Sequence, residues 1–447
     1  MANSYLTWQN STATNNTKFT MSAWVKRGNL NSSSYNCIMS CRQTSSTNAM
    51  GLWFGEDKVF FNFGTGASTS NTGFDTSAKV RDTNGWYHIV VAGDASQSGT
   101  DKIKVWINGT QQTSFVTDNR SNFATLEYDF GNTTYPIQVG RKHDNTFFWD
   151  GYMSHVAFVD GTALTPSSFG ETDSTSGIWK FKSPSGVTWG NNGFHLKFEN
   201  SGNLGLDSAG SNNFTVGGNL KQALDTPSNV YVTMNPLINS NSNLTFANGN
   251  TKIATTSQWL GSVSTFPMFQ GKYYWEFKGD PNFMIGVSQL NSDATETREL
   301  SIVNSGYSSR FATGYEIING GNKSNNNNSS TSYGSSYSSS DIGMVAFDAT
   351  NGVLWFGKNG AWQNSATQTQ IENGTTTNAA YTGLTNDNGY VVSCSVESGH
   401  MEFNFGNGFF GTTAITSAGS NGNGSLFEYD VPSGYYALNT KNLNTHG

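Results

Sequence analysis

The chain has 447 residues, room for two or three domains of about 150 residues each. Gly reaches 50 residues and Pro only 8, which excludes collagen-like and proline-rich architectures, while 13 % aromatic residues against 12 % charged ones mark a chain that builds cores rather than one that stays disordered. The sum of 24 basic and 31 acidic residues is −7 with no run of like charges, which disfavours nucleic-acid binding by phosphate neutralisation.

In chain order, residues 1–16 form a lead without the basic and apolar regions of a signal peptide, so synthesis in a cytosol is expected. FTMSAWVKR from Phe19 and WYHIVVAGD from Trp86 read as strands, followed by KIKVWING, where Ile103, Val105 and Ile107 share one face and Lys104 and Trp106 the other. Asn108-Gly109 then supplies a hairpin turn, because Asn-Gly suits paired positive φ angles. A domain boundary is expected near Asp225-Thr226-Pro227-Ser228. Beyond it come KYYWEF from Lys272, the biased segment GGNKSNNNNSSTSYGSSYSSSD from Gly320, NGVLWFGKNG with turns at Asn351-Gly352 and Asn359-Gly360, and HMEFNFGN from His400. The biased segment reads as a polar surface loop or, through Tyr333 and Tyr337, as a contact loop of paratope composition. No apolar run approaches the roughly 20 residues that span a bilayer, so membrane insertion is not expected. Short strands, Gly/Asn/Ser turns and no long helical pattern give an all-β chain of two antiparallel sandwiches, 17–225 and 226–447.

Chemistry is sparse. The six histidines fall in no zinc spacing, and His88 and His155 lie in strand-like runs. Cys37, Cys41 and Cys394 support neither a disulfide framework nor a structural zinc and read as buried thiols. Glycoside hydrolysis needs two carboxylates across the scissile bond. Glu127-Tyr128-Asp129 and Glu428-Tyr429-Asp430 have an E-x-D spacing that, on a strand, would put both acids on one face, but they read as solvated strand or turn acids, as do Glu296 and Glu299. No catalytic residue is assigned. Trp189, Trp259 and Trp362 lie near turn residues, where a ring can stack on the apolar face of a sugar, and with Tyr333 and Tyr337 they are the candidate glycan- or partner-binding residues.

Two resemblances cover most of the chain. FTMSAWVKR, WYHIVVAGD, KIKVWINGTQ, IQVGR and FFWDGYMSHVAFVDGTAL, in that order and spacing, resemble a laminin-G-like, concanavalin A-like sandwich. Residues 170–216, GETDSTSGIWKFKSPSGVTWGNNGFHLKFEN and LGLDSAGSNNFTV, resemble the extension of this domain in virion proteins of marine bacteriophages. GKYYWEF, MIGVS, DIGMVAFDATNGVLWFGKNG and YVVSCSVESGHMEFNFGN resemble a SPRY domain, departing from it in the Asn/Ser-rich insertion, and FEYDVPSGYYALNT is similar to the segment closing such domains in phage proteins. The resemblances imply a virion structural protein, a tail fibre or tip or a head decoration, assembled in the host cytoplasm and displayed on the particle surface. Its implied partners are other virion proteins, host-surface glycan and copies of itself, with trimers common in fibres. The alternatives are a glycan depolymerase and a purely architectural cementing protein. Laminin-G-like domains sometimes hold calcium; no metal is assigned, and Asp144 and Asp150 are the acids to which that option points.

Overall fold

The computed structural model describes residues 3–28, 30, 35–42, 49–63, 72–126, 130–239, 243–256, 258–289, 314–325, 330–385 and 388–447. The chain divides into two compact units, Met1–Gln222 and Ala223–Gly447.

The strands of the first unit are β1 (Tyr5–Trp8), β2 (Lys18–Arg27), β3 (Asn36–Arg42), β4 (Ala49–Gly55), β5 (Lys58–Asn62), β6 (Gly73–Lys79), β7 (Tyr87–Asp94), β8 (Ile103–Ile107), β9 (Thr110–Gln111), β10 (Phe115–Asp118), β11 (Ile137–Val139), β12 (Gly151–Asp160), β13 (Gly170–Thr172), β14 (Trp179–Phe181), β15 (Phe194–Leu196) and β16 (Thr215–Gly217). Sheet I runs β10-β6-β5-β4-β3-β11-β1-β16 and sheet II runs β15-β12-β2-β7-β8-β9, all antiparallel, while β13 and β14 form a separate hairpin. Strand alternation sends Phe19, Met21, Ile89 and Val91 from sheet II against Leu52, Phe54, Phe61 and Val139 from sheet I, and these meet in one core. The segment after residue 169 is woven into this unit, since β15 extends sheet II and β16 extends sheet I.

In the second unit the strands are β17 (Met234–Asn239), β18 (Thr245–Ala247), β19 (Lys252–Thr255), β20 (Leu260–Ser264), β21 (Lys272–Gln289), β22 (Gly314–Ile318), β23 (Asn322–Asn325), β24 (Thr331–Ser332), β25 (Gly343–Asp348), β26 (Val353–Lys358), β27 (Ala361–Trp362), β28 (Tyr390–Asn404), β29 (Phe409–Phe410) and β30 (Thr413–Ala414). Two long strands organise it. β21 pairs with β28 from Glu276↔Asn404 to Gln289↔Tyr390, while its first half also pairs with β25 and its second half with β22. The core collects Trp275, Phe277, Phe283, Ile285, Phe347, Phe356, Val392 and Phe403. The short helices α1 (Gln368–Glu372) and α2 (Thr440–His446) carry caps at Thr367 and Asn439. The chain is thus all-β, two antiparallel sandwiches.

Asn108-Gly109 and Asn359-Gly360 adopt the paired positive φ angles expected of them (48° and 76°, 50° and 83°). Asn351-Gly352 does not: only Gly352 has positive φ, and Asn351 donates instead from its main chain and side chain to Asp348, at 2.9 Å each. The three cysteines are buried and unbridged, and burial pushes the Cys37 thiol up to about 12. Among the described residues no helix is long and apolar enough to cross a membrane.

Candidate functional site

The outer face of sheet I carries a group of aromatic rings that face away from the core. In β4, Met50, Leu52 and Phe54 enter the core, so Gly51, Trp53 and Gly55 face outward; in β5, Val59 and Phe61 enter it, so Lys58, Phe60 and Asn62 face outward. Trp53 and Phe60 are cross-strand partners with rings stacked at 5.4 Å and 14°. Tyr35 adds a ring 6.2 Å from Phe60 and 5.0 Å from Phe147, and the Phe147 carbonyl accepts from the Cys37 amide at 2.8 Å.

Glycines let these rings lie close to the strand backbone. A Cβ at Gly51 would stand 2.3 Å from the Trp53 ring and one at Gly55 2.3 Å from the Tyr35 ring. Trp53 is covered, at 6 % exposure, whereas Tyr35 is 38 % exposed and Phe60 and Phe147 are half-buried. The solvent-facing part is therefore Tyr35, Phe60 and Phe147.

The rim is polar and its charges are paired. Lys58 bonds Glu56 at 2.9 Å and approaches Asp75 at 3.8 Å; Lys142 bonds Asp144 at 2.8 Å with its ammonium 5.3 Å from the Phe147 ring centroid. The Lys58 hydrogen bond holds Glu56 below its usual range. Asn62 accepts from Thr72 at 2.8 Å. Rings for stacking, amide and ammonium groups for hydrogen bonds and little unpaired charge together suit a neutral polyol surface.

None of the residues expected to bind is among these rings. Tyr333 and Tyr337, expected to project for contact, are instead core residues at 6 % and 7 % exposure. Tyr337 packs 5.6 Å from Phe277 and 5.9 Å from Phe283 and donates to the Gly357 carbonyl at 3.1 Å; Tyr333 donates to the Asn378 carbonyl at 3.2 Å. The rings anchor the segment because burying them gains more than presenting them to water. Residues 326–329 of that segment lie outside the described residues. Trp362 is likewise buried, edge-on to Tyr274 at 6.4 Å. Trp259 is half-buried just before β20, and Trp189 is half-buried in the first unit, stacked on His195 at 5.7 Å and 13°.

Of the two E-x-D pairs, only Glu428 and Asp430 lie among the described residues. Glu428 and Asp430 lie in a loop rather than a strand, Glu428 bonded to Thr416 and Asp430 accepting from the Ser420 amide at 2.6 Å, so each is spent on holding its own loop. Glu127, Asp129, Glu296 and Glu299 lie outside the described residues. Asp144 is held below its usual range by Lys142 and Thr146 despite the opposing effect of burial, whereas burial raises Asp150 to about 6 beside Arg27. Among the described residues no three His, Cys, Asp or Glu side chains converge where they could hold a metal ion.

Residues 1–168 match the Laminin_G_3 family, described as the concanavalin A-like lectin/glucanases superfamily. The amino-terminal sandwich is therefore a concanavalin A-like domain. A comparison with curated proteins returns no match. Similar solved structures include a putative carbohydrate binding protein from Bacteroides ovatus ATCC 8483, 18 % identical, covering 50 % of this chain and 59 % of that one at a TM-score of 0.35. They also include the SPRY domain of human HERC1, 14 % identical with coverages of 38 % and 96 % and a TM-score of 0.28, and the TRIM65 PSpry domain, 13 % identical with coverages of 39 % and 91 % and a TM-score of 0.26.

Proposed function

We propose that this chain is a binding protein rather than an enzyme, and that its amino-terminal sandwich holds a neutral saccharide on the Tyr35, Phe60 and Phe147 face of sheet I. The observation that carries the reading is that face itself: solvent-facing rings lie against the sheet above Gly55, rimmed by paired charges, on a domain of a lectin and glucanase superfamily. A hexose presents CH groups on one ring face and hydroxyls around its edge, which calls for a stacking surface with hydrogen-bonding groups beside it. The alternative catalytic use needs one carboxyl group that gives up a proton and a second that stays ionised across the scissile bond, and on this face Glu56, Asp75 and Asp144 each stand within ion-pair distance of a lysine.

The setting we propose is the surface of a phage particle, with other virion proteins and host-surface glycan as partners and a symmetric oligomer as the working form. This part rests on the resemblance of residues 170–216 to virion-protein extensions. Two measurements test the reading. A glycan array probed with the full chain is expected to give binding to one or more neutral host-surface glycans without release of sugar; silence on the array or sugar release contradicts it. A cryo-EM map of the particle is expected to place sheet I of the first unit facing outward, and its burial between capsomers would favour the cementing role.

A further inference from the structure

The hairpin β13–β14 and the segment running on to Trp189 contact the outer face of sheet II through three imidazoles. His88 on β7, His155 on β12 and His195 on β15 each stack against one aromatic ring of this strap: Trp179 at 6.0 Å and 14°, Phe181 at 3.6 Å and 12°, and Trp189 at 5.7 Å and 13°, respectively. Trp24 of β2 closes the other side of His88 at 4.7 Å and 6°.

The hydrogen bonds fix the protonation states. The Trp179 indole N–H, which can only donate, points at His88 Nδ1 at 3.0 Å, so Nδ1 carries no proton and Nε2 carries one, donating to Ser22 Oγ at 2.8 Å. His155 Nδ1 and His195 Nε2 face each other at 3.2 Å, a contact with room for one proton between two rings. A further proton on His88 would set N–H against N–H at the bond to the strap, whereas the His155–His195 contact, which joins β12 to β15, takes one proton at an outward ring nitrogen and keeps its single N–H···N bond.

We propose that this cluster is an acid-sensitive latch: the neutral imidazoles hold residues 172–189 onto sheet II, and protonation frees that strap while the sandwich beneath stays folded. Burial holds His88 and His155 down to about 3 and His195 down to about 4, whereas a released strap lets them return toward about 6.5. The released form thus binds more protons, and acid favours it. The surrounding charges do not relieve the strain of protonation. Lys197 opposes a positive charge on His155 and His195. Asp207 favours one on His195, but its carboxylate already accepts from the amides of His195, Ala209 and Asn212. Lys180 of the strap is paired with Asp173 and Glu171, and Lys26 of β2 lies over Tyr152.

Amide hydrogen exchange on the full chain as a function of pH, corrected for intrinsic rates, tests the latch. Below pH 6.5 the opening constant of residues 172–189 is expected to rise by up to about tenfold per pH unit for each histidine, approaching about 1000-fold for three, while β2 and β7 keep their protection. His195→Phe retains a ring against Trp189 and is expected to reduce the steepness to at most about 100-fold per unit. If that variant loses protection in β2 and β7 at pH 7.5, His88→Phe, which keeps a ring against Trp179 and removes that imidazole, is expected to give the same reduction. Strap and sheet opening together at every pH, or an unchanged steepness in the variant that remains folded, overturns the proposal.

Discussion

The Tyr35 ring lies where a side chain at Gly55 would stand, with a Cβ there only 2.3 Å from the ring. This places the most exposed ring of the candidate face under the control of a residue that carries no functional group. Gly55→Ala leaves an allowed backbone, since Gly55 is not among the positive-φ residues, yet it must displace the ring. The expected outcome is an unchanged fold with saccharide affinity reduced about fivefold, the equivalent of about 1 kcal/mol of lost stacking, read by titration calorimetry.

Gly109 serves two needs at once. Its φ of +76° favours glycine, and a Cβ would stand 2.6 Å from the Trp179 ring. Gly109→Ala is expected to cost about 1–2 kcal/mol and to lower the melting temperature of the first unit by several degrees in differential scanning calorimetry.

Glu276 is a buried carboxyl that accepts from the Tyr274 hydroxyl at 3.0 Å, the Glu428 and Tyr429 amides at 2.9 Å each, and Asn404 at 3.1 Å. Glu276→Gln turns an amide N–H₂ toward two of these donors and is expected to cost about 1–3 kcal/mol in denaturant unfolding. Burial raises the Glu276 carboxyl to about 7 against the pull of those hydrogen bonds. The folded state then binds the proton more tightly than the unfolded chain, so the stabilisation this proton gives is full below about pH 4.5 and is lost as pH rises through about 7. Unfolding midpoints of the wild-type chain are expected to fall across that window, and those of Glu276→Gln to show a weaker fall.

Tyr337→Ser removes a buried ring and leaves the Gly357 carbonyl without its donor. The expected loss is about 3 kcal/mol or more of stability, with saccharide binding by the first unit unchanged. A variant of full stability with impaired partner contact would restore the loop-contact role that its burial argues against.

The fold was legible where local rules act alone. KIKVWING gives both the strand β8 and its turn, because the alternation of Ile103, Val105 and Ile107 and the φ demands of Asn108-Gly109 are properties of neighbouring residues. The candidate face was not legible, because it is made by register: Trp53 meets Phe60 only once β4 pairs with β5, and Phe147 arrives from more than 80 residues further along. Its sequence signal was slight but present. MGLWFG and KVFFN place aromatics on both faces of adjacent strands, more than one core consumes, with glycine beside Trp53 where a bulky ring needs space. Tyr333 and Tyr337 misled for the converse reason, since their Asn/Ser-rich surroundings look solvated while long-range packing draws both rings inward.

The most direct test of the central claim is calorimetric titration of a glycan selected on the array against the wild-type chain, Tyr35→Ala with Phe60→Ala, and Trp189→Ala. The account predicts that the double variant, folded by near-ultraviolet circular dichroism, loses at least about tenfold in affinity, about 1.4 kcal/mol, while Trp189→Ala binds as the wild type does. Undiminished binding by the double variant, or a loss confined to Trp189→Ala, would contradict it.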